Sequence, residues 1–364
     1  MKMQFSLIRF FSALFFTAVL ITSCSKDDNP DKPTVVTPVY SGGAFICNEG
    51  AFMQGNATLD FFSYTTTAVV SNVFQSINQR PIGDVLQSMS VIGDYGYLVV
   101  NNSNKIEVVT MQDMKEAGVI EGVTAPRYII KVADNKAYVS QWGDDGKIQV
   151  VDMKTLEVVK TIETGLGPEQ MIIYNDLVYV ANGGGWAADS TITVINPTND
   201  VVVGTIKVGY NPKSFAVDAG GSLWVLCYGH IIYDPVTWAI ASEMPSELVK
   251  LSGTSLGIDE EKVIGISAHP TMLAASPDGN TFYYGGGFGF SGIYAWDNQS
   301  GSLPTTPISD KMFYGFGVNP DNGEILGLEA PSFTGPGVLY RFSPDGTQLG
   351  QYPTGIGPNS VVFY

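Results

Sequence analysis

Five segments of this chain repeat one pattern: a proline, a polar residue, then a short apolar run. They are Thr124-Ala-Pro-Arg-Tyr-Ile-Ile, Gly167-Pro-Glu-Gln-Met-Ile-Ile, Asn211-Pro-Lys-Ser-Phe-Ala-Val, His269-Pro-Thr-Met-Leu-Ala-Ala and Gly357-Pro-Asn-Ser-Val-Val-Phe. Each reads as the start of a β-strand. The prolines stand at 126, 168, 212, 270 and 358, so the intervals are 42, 44, 58 and 88, the last being two units of 44. Upstream copies are followed by a second strand across a short turn, as in 132–139, 173–180 and 275–282, where Asp, Asn and Gly supply the positive φ that tight hairpins need. The copy at 355–364 has nothing after it.

A period in the low forties, with four strand patterns per unit, is that of a β-propeller blade. Extending it predicts blades near 85–122, with Val85 in the proline position, and near 313–355, with Phe313 there. Residues 43–74 hold only three strand patterns, at 43–47, 57–64 and 68–74. The missing innermost strand is supplied by 360–364, giving an all-β, seven-bladed propeller over 43–364, closed by its last strand. No long helical periodicity competes with this reading.

Residues 1–23 carry Lys2 and Arg9, an apolar run from Phe10 to Ile21, and small residues before Cys24. This is the pattern of a lipoprotein signal peptide, too short for a bilayer span of about 20 residues. Cys24 is then the lipidated first residue, and 24–42, with Pro30, Pro33 and Pro38, is a flexible tether. Cleavage takes the formal charge from -16 to -18, because Lys2 and Arg9 are lost. Such a surface disfavours nucleic acid as a partner. Cys47 and Cys227 fall in apolar strands of distant blades, so free buried thiols are expected in place of a disulfide.

In a propeller, the loop leading into each innermost strand and the loop between the second and third strands emerge on one face, beside the central channel, where side chains from several blades converge. The first set supplies Arg127, Glu169, Lys213, Thr271, Tyr314 and Asn359. The second set is rich in large rings, among them Trp142, Trp186, Tyr228, Phe288 and Phe333, interleaved with Asn101, Asn102, Asn104 and Asn182. Exposed rings bury much area at low entropic cost, and they also plug propeller hubs. For the set, a ligand-binding face is the better reading. Its expected members are Asn102, Arg127, Trp142, Glu169, Trp186, Lys213, Tyr228, His230, Phe288, Phe333 and Asn359. The interval of 58 adds chain at 228–245, a long loop on that face that could clamp a ligand.

Signals for catalysis are weak. His230 and His269 are the only histidines, too few for a His-based metal site. Trp142-Gly-Asp-Asp-Gly-Lys147 lacks the acidic spacing of a calcium loop, and Gly183-Gly-Gly185 and Gly285-Gly-Gly287 precede no helix, so neither is a phosphate loop. No catalytic residue, metal or cofactor is expected, although a lyase using His230 or His269 with Tyr228 as acid and base is an alternative.

The proline lead-in, and the Tyr-Val or Trp-Val second strand followed by Asn or Gly, resemble the YncE-like propellers over 43–364, and more closely the propeller lipoproteins of gut Bacteroidetes. Ser25-Lys-Asp-Asp28 resembles the surface-export tag of such lipoproteins, a plain solvated tether being the other reading. In overall build the chain is similar to the BtuG type. That resemblance implies a non-enzymatic lipoprotein, anchored on the outer membrane and exposed at the cell surface, that captures cobalamin (vitamin B12) and delivers it to a TonB-dependent transporter. A glycan binder of a polysaccharide-uptake system is the alternative.

Overall fold

The structure is a computed structural model that describes residues 39–364. The expected signal peptide, Cys24 and most of the tether lie outside the described residues. The described residues form one compact unit. Its sheets are six four-stranded blades, one three-stranded blade and one small two-stranded hairpin, which make a seven-bladed all-β propeller.

The seven innermost strands are Pro358–Phe363, Leu86–Ile92, Pro126–Ala133, Pro168–Tyr174, Pro212–Val217, Met272–Ala275 and Gly315–Val318. Each packs beside the next around the channel, and Pro358–Phe363 sits between Gly315–Val318 and Leu86–Ile92. That last strand pairs antiparallel with Gly43–Asn48 and completes blade 1, whose sheet continues through Thr58–Ser63 and Ala68–Val70. The closure expected from the unpartnered final repeat is therefore present.

The hydrophobic core is divided among the blades. Seven separate clusters of buried residues each fill one wedge between neighbouring blades, as Tyr97, Val99 and Ile106 of blade 2 do against Ile129, Val139 and Val151 of blade 3. Both faces of every blade are covered in this way, so the second strands read as continuous apolar runs such as Leu223–Cys227, buried throughout. Cys47 and Cys227 are buried free thiols, as expected.

Three expectations need correction. The third strand of blade 1 ends at Val70; Val73–Asn78 is a short helix whose Val73 and Phe74 plug the wedge between blades 1 and 2. Asn72 stops the strand by turning left-handed, at φ 52°, and gives its N–H to the buried Asp60 carboxylate at 2.8 Å. Blade 6 has three strands, not four. The segment that would form its outer strand contains Pro304 and Pro307, which lack the N–H a ladder requires. Finally, 228–245 is not a plain loop but a hairpin of His230–Tyr233 and Ile240–Met244 projecting from blade 5.

Candidate functional site

The repeated prolines set the site's geometry through a shared irregularity. Where the innermost strand begins, its register with the second strand slips: Pro126 faces Gln141 but Tyr128 faces Ser140, and Pro212 faces Cys227 but Ser214 faces Leu226. Equivalent slips follow Leu86, Pro168 and Pro358. A bulge re-aims the residue it leaves out of the ladder. The residues skipped are Gln87, Arg127, Glu169, Lys213 and Asn359, and all five line the channel mouth together with Thr271 and Tyr314.

The residue ahead of each slip adopts a left-handed backbone: Val85, Ala125, Gly167, Asn211 and Gly357 lie at φ 60°, 47°, 53°, 53° and 61°. Val85 is the costly one, because a β-branched side chain disfavours that region. Its carbonyl accepts from Asn101 N–H at 2.8 Å. The same bond recurs from Trp142 to Ala125, Gly183 to Gly167, Tyr228 to Asn211 and Glu49 to Gly357. It ties the loop after the second strand to the lead-in of the first, which is why both expected loop sets share one face.

The result is a funnel of about 460 Å³ at the channel mouth, within the usual size of a small-molecule site. On one wall Glu169 is buried between two cations. Arg127 Nε donates to its Oε2 at 3.0 Å and Lys213 Nζ to its Oε1 at 2.8 Å. Burial pushes the carboxyl up, but the Arg127 and Lys213 charges outweigh that and hold it below the usual range. Gly183 lets this group pack close, since a Cβ there would stand 2.6 Å from Glu169 Cγ. Arg127 also donates to Gln87 and lies over the Trp142 ring, 4.1 Å from its centroid.

The opposite wall holds Glu49, which opens one of the expected loops, 49–56, but is not among the expected site residues. Asn359 Nδ2 donates to its Oε1 at 2.9 Å and Tyr314 Oη donates at 3.2 Å. Burial raises the Glu49 pKa, and the Asn359 hydrogen bond, the Arg127 charge and Tyr314 only partly offset it. Burial and the neighbouring Glu49 charge push the Tyr314 hydroxyl up in turn. Two polar atoms of funnel-lining residues are buried without a partner: the Trp142 indole Nε1 and Asn359 Oδ1.

Of the expected site residues, Arg127, Trp142, Glu169, Lys213, Phe288 and Asn359 line this funnel. Trp186 and Phe333 stand on its rim. Trp186 is 84% exposed and meets Trp142 edge-on at 5.0 Å, and Phe333 stacks edge-on against Tyr314 at 5.0 Å. Tyr228 lines a second cavity beneath the blade 5 hairpin. Asn102 turns away, its amide donating to Asp84 at 2.6 Å, and His230 stacks on Tyr210 outside both cavities. Among the described residues, no group of three or more His, Cys, Asp or Glu side chains could hold a metal ion, and no helix is long and apolar enough to cross a membrane.

A seven-bladed ring with converging loop residues places the chain among the β-propellers. Within them it belongs to the DUF5074 family, a domain of unknown function matched over residues 42–352. No curated protein matches the sequence. Solved structures share the fold at low identity. A quinonprotein alcohol dehydrogenase-like protein from Bacteroides thetaiotaomicron superposes with a TM-score of 0.64 at 15% identity, over 89% of this chain and 78% of the other. Hydrazine synthase from Kuenenia stuttgartiensis gives 0.59 at 16%, over 73% and 85%. AztD from Citrobacter koseri, in its apo form, gives 0.54 at 9%, over 88% and 97%.

Proposed function

We propose that the channel mouth binds a large, polyfunctional small molecule without transforming it, and that cobalamin is the first candidate. The observation that carries this reading is the pairing of an orphaned donor, Trp142 Nε1, with an orphaned acceptor, Asn359 Oδ1, in one funnel. A buried polar atom without a partner costs about 1–3 kcal/mol, which a ligand bearing both amide N–H and C=O groups repays. The rim suits a bulky ligand, because Trp186 and Phe288, 84% and 78% exposed, offer wide apolar faces above the polar floor.

In this reading the chain is a lipid-anchored outer-membrane protein that hands its ligand to a TonB-dependent transporter. Titrating the purified domain with cyanocobalamin tests the binding step. Saturable heat and an absorbance change at micromolar ligand are expected, and their absence would remove cobalamin as the ligand. The same rim favours a second reading, a glycan laid across Trp186 and Phe288, which a glycan array separates from the first. A lyase using His230 or His269 with Tyr228 has less support, since His230 stacks on Tyr210 outside the funnel and neither His269 nor Tyr228 lines it.

A further inference from the structure

The cavity beneath the blade 5 hairpin, about 540 Å³, shares Lys213, Thr271 and Phe288 with the funnel but has its own chemistry. At its centre is His269, only 8% exposed. Its Nδ1 lies 2.7 Å from the Tyr228 carbonyl oxygen, which can only accept, so Nδ1 carries the proton. In the neutral ring Nε2 is then an acceptor, and it is buried without a hydrogen-bond partner. Across from it stands another acceptor, Glu243 Oε1, at 3.6 Å. Ser267 Oγ already donates to the other carboxylate oxygen at 3.1 Å. Two acceptors face one gap, and the cavity puts no donor between them.

The charge in the cavity is also uncompensated. Lys213, its only lysine or arginine, is committed to Glu169 at 2.8 Å and to the Gly183 carbonyl at 3.2 Å, so with the His269 ring neutral the Glu243 carboxylate has no counter-ion among the residues lining the cavity. The lining includes the rings of Tyr228, Tyr233 and Phe288, and aromatic faces favour a cation over an anion. We infer that this cavity is a second binding site, for a nitrogen cation with at least two N–H donors: a primary ammonium, amidinium or guanidinium group. One N–H goes to Glu243 Oε1, a second to His269 Nε2, and the remainder of the ligand lies against the rings. The hairpin is what creates the site, because Ile231, Tyr233 and Glu243 all come from it. The assignment does not rest on any ligand in the funnel, although the two spaces share Lys213, Thr271 and Phe288.

Benzamidine, a planar amidinium on a ring, is a suitable probe, with benzoate as the anionic control. Titration at pH 8 followed by amide and side-chain NMR should give saturable shifts at Tyr228, Glu243 and His269, none at the Asn359 amide across the funnel, and none with benzoate. Glu243→Gln removes the charge and places an amide donor opposite His269 Nε2. It should weaken benzamidine about tenfold or more while raising the melting temperature of the ligand-free protein. Unchanged affinity in E243Q, no saturation by about 10 mM benzamidine, or a doubly protonated His269 ring in the free parent at pH 8 would each overturn the assignment. The last two readouts use the parent protein alone, so they stand even if the variant does not fold. A negative cobalamin titration would leave them untouched.

Discussion

The two walls of the funnel bury one carboxylate each and treat them in opposite ways. Glu169, on the wall made by blades 3 to 5, has Arg127 and Lys213 at hydrogen-bonding distance and is held ionised. Glu49, on the wall made by blades 7 and 1, has only neutral donors in direct contact, from Asn359 and Tyr314, and its pKa rises. Desolvation is the leading influence on both, yet Glu169, the more deeply buried of the two, is the one whose pKa falls. The neighbours' charge distinguishes them. One wall is a satisfied ion cluster that fixes three blades together, and the other stores an expensive charge facing the ligand space.

That contrast can be tested from its coarsest form downward. Deleting residues 358–364 removes Asn359 and the innermost strand of blade 1, and with them the Glu49 wall. Loss of the single cooperative melt is expected in calorimetry, and a deletion that still melts sharply at the parent temperature would mean the ring closes another way. Next in size, Glu169→Gln leaves two half-buried cations short of their counter-ion and should cost about 3 kcal/mol in chemical unfolding at pH 7.

Trp142→Ala strips the ring beneath Arg127 and should weaken ligand binding by about 1–4 kcal/mol. Trp186→Ala, at the solvent-facing rim, should cost less than that. Calorimetric titration of both variants ranks floor against rim, and the reverse order would move the binding surface outward.

Smallest is Glu49→Gln, which should stabilise the protein at pH 7 because it removes a charge the fold disfavours. The pH dependence separates the walls by sign. Glu169 has its pKa lowered by folding, so it contributes stability above the ordinary carboxylate range and loses it as pH falls through its folded value. Glu49 has its pKa raised, so its stabilising contribution is complete below the ordinary range and is lost as pH rises through its folded value. Unfolding free energies of parent and E49Q should therefore converge on acidification, and they should do so at higher pH than those of parent and E169Q.

Much of this was legible in the sequence, for a physical reason. A proline that cannot donate to a ladder, followed by a bulge, is a local event that each blade repeats, so its period exposes both the ring and the side chains skipped by the bulge. Arg127, Glu169, Lys213 and Asn359 were found in that way. Glu49 was within reach of the same logic. It follows Asn48 as Trp142 follows Gln141 and Gly183 follows Asn182, and it makes the same backbone bond to the lead-in. Aligning the second-strand ends would have named it.

Side-chain direction on the longer loops follows no period. Asn102 is turned aside by the Asp84 carboxylate and His230 by the face of Tyr210, side-chain contacts whose residue types the other blades do not repeat. The helix at Val73–Asn78 was hidden for a similar reason, since its apolar residues fill a wedge and mimic a strand's pattern.

The seam that closes blade 1 also sets how the molecule meets a mechanical load. Gly43 and Tyr364 exchange two backbone hydrogen bonds of 2.9 Å, and the ladder then runs inward through Ala44 and Phe363 to Asn48 and Pro358. The two strands are antiparallel, so the chain enters and leaves at the same end of that ladder. Force applied between the two ends therefore peels the pairs apart one at a time, where a parallel seam would have shared the pull across all of them. Along that one direction, the closed ring opens like a zip.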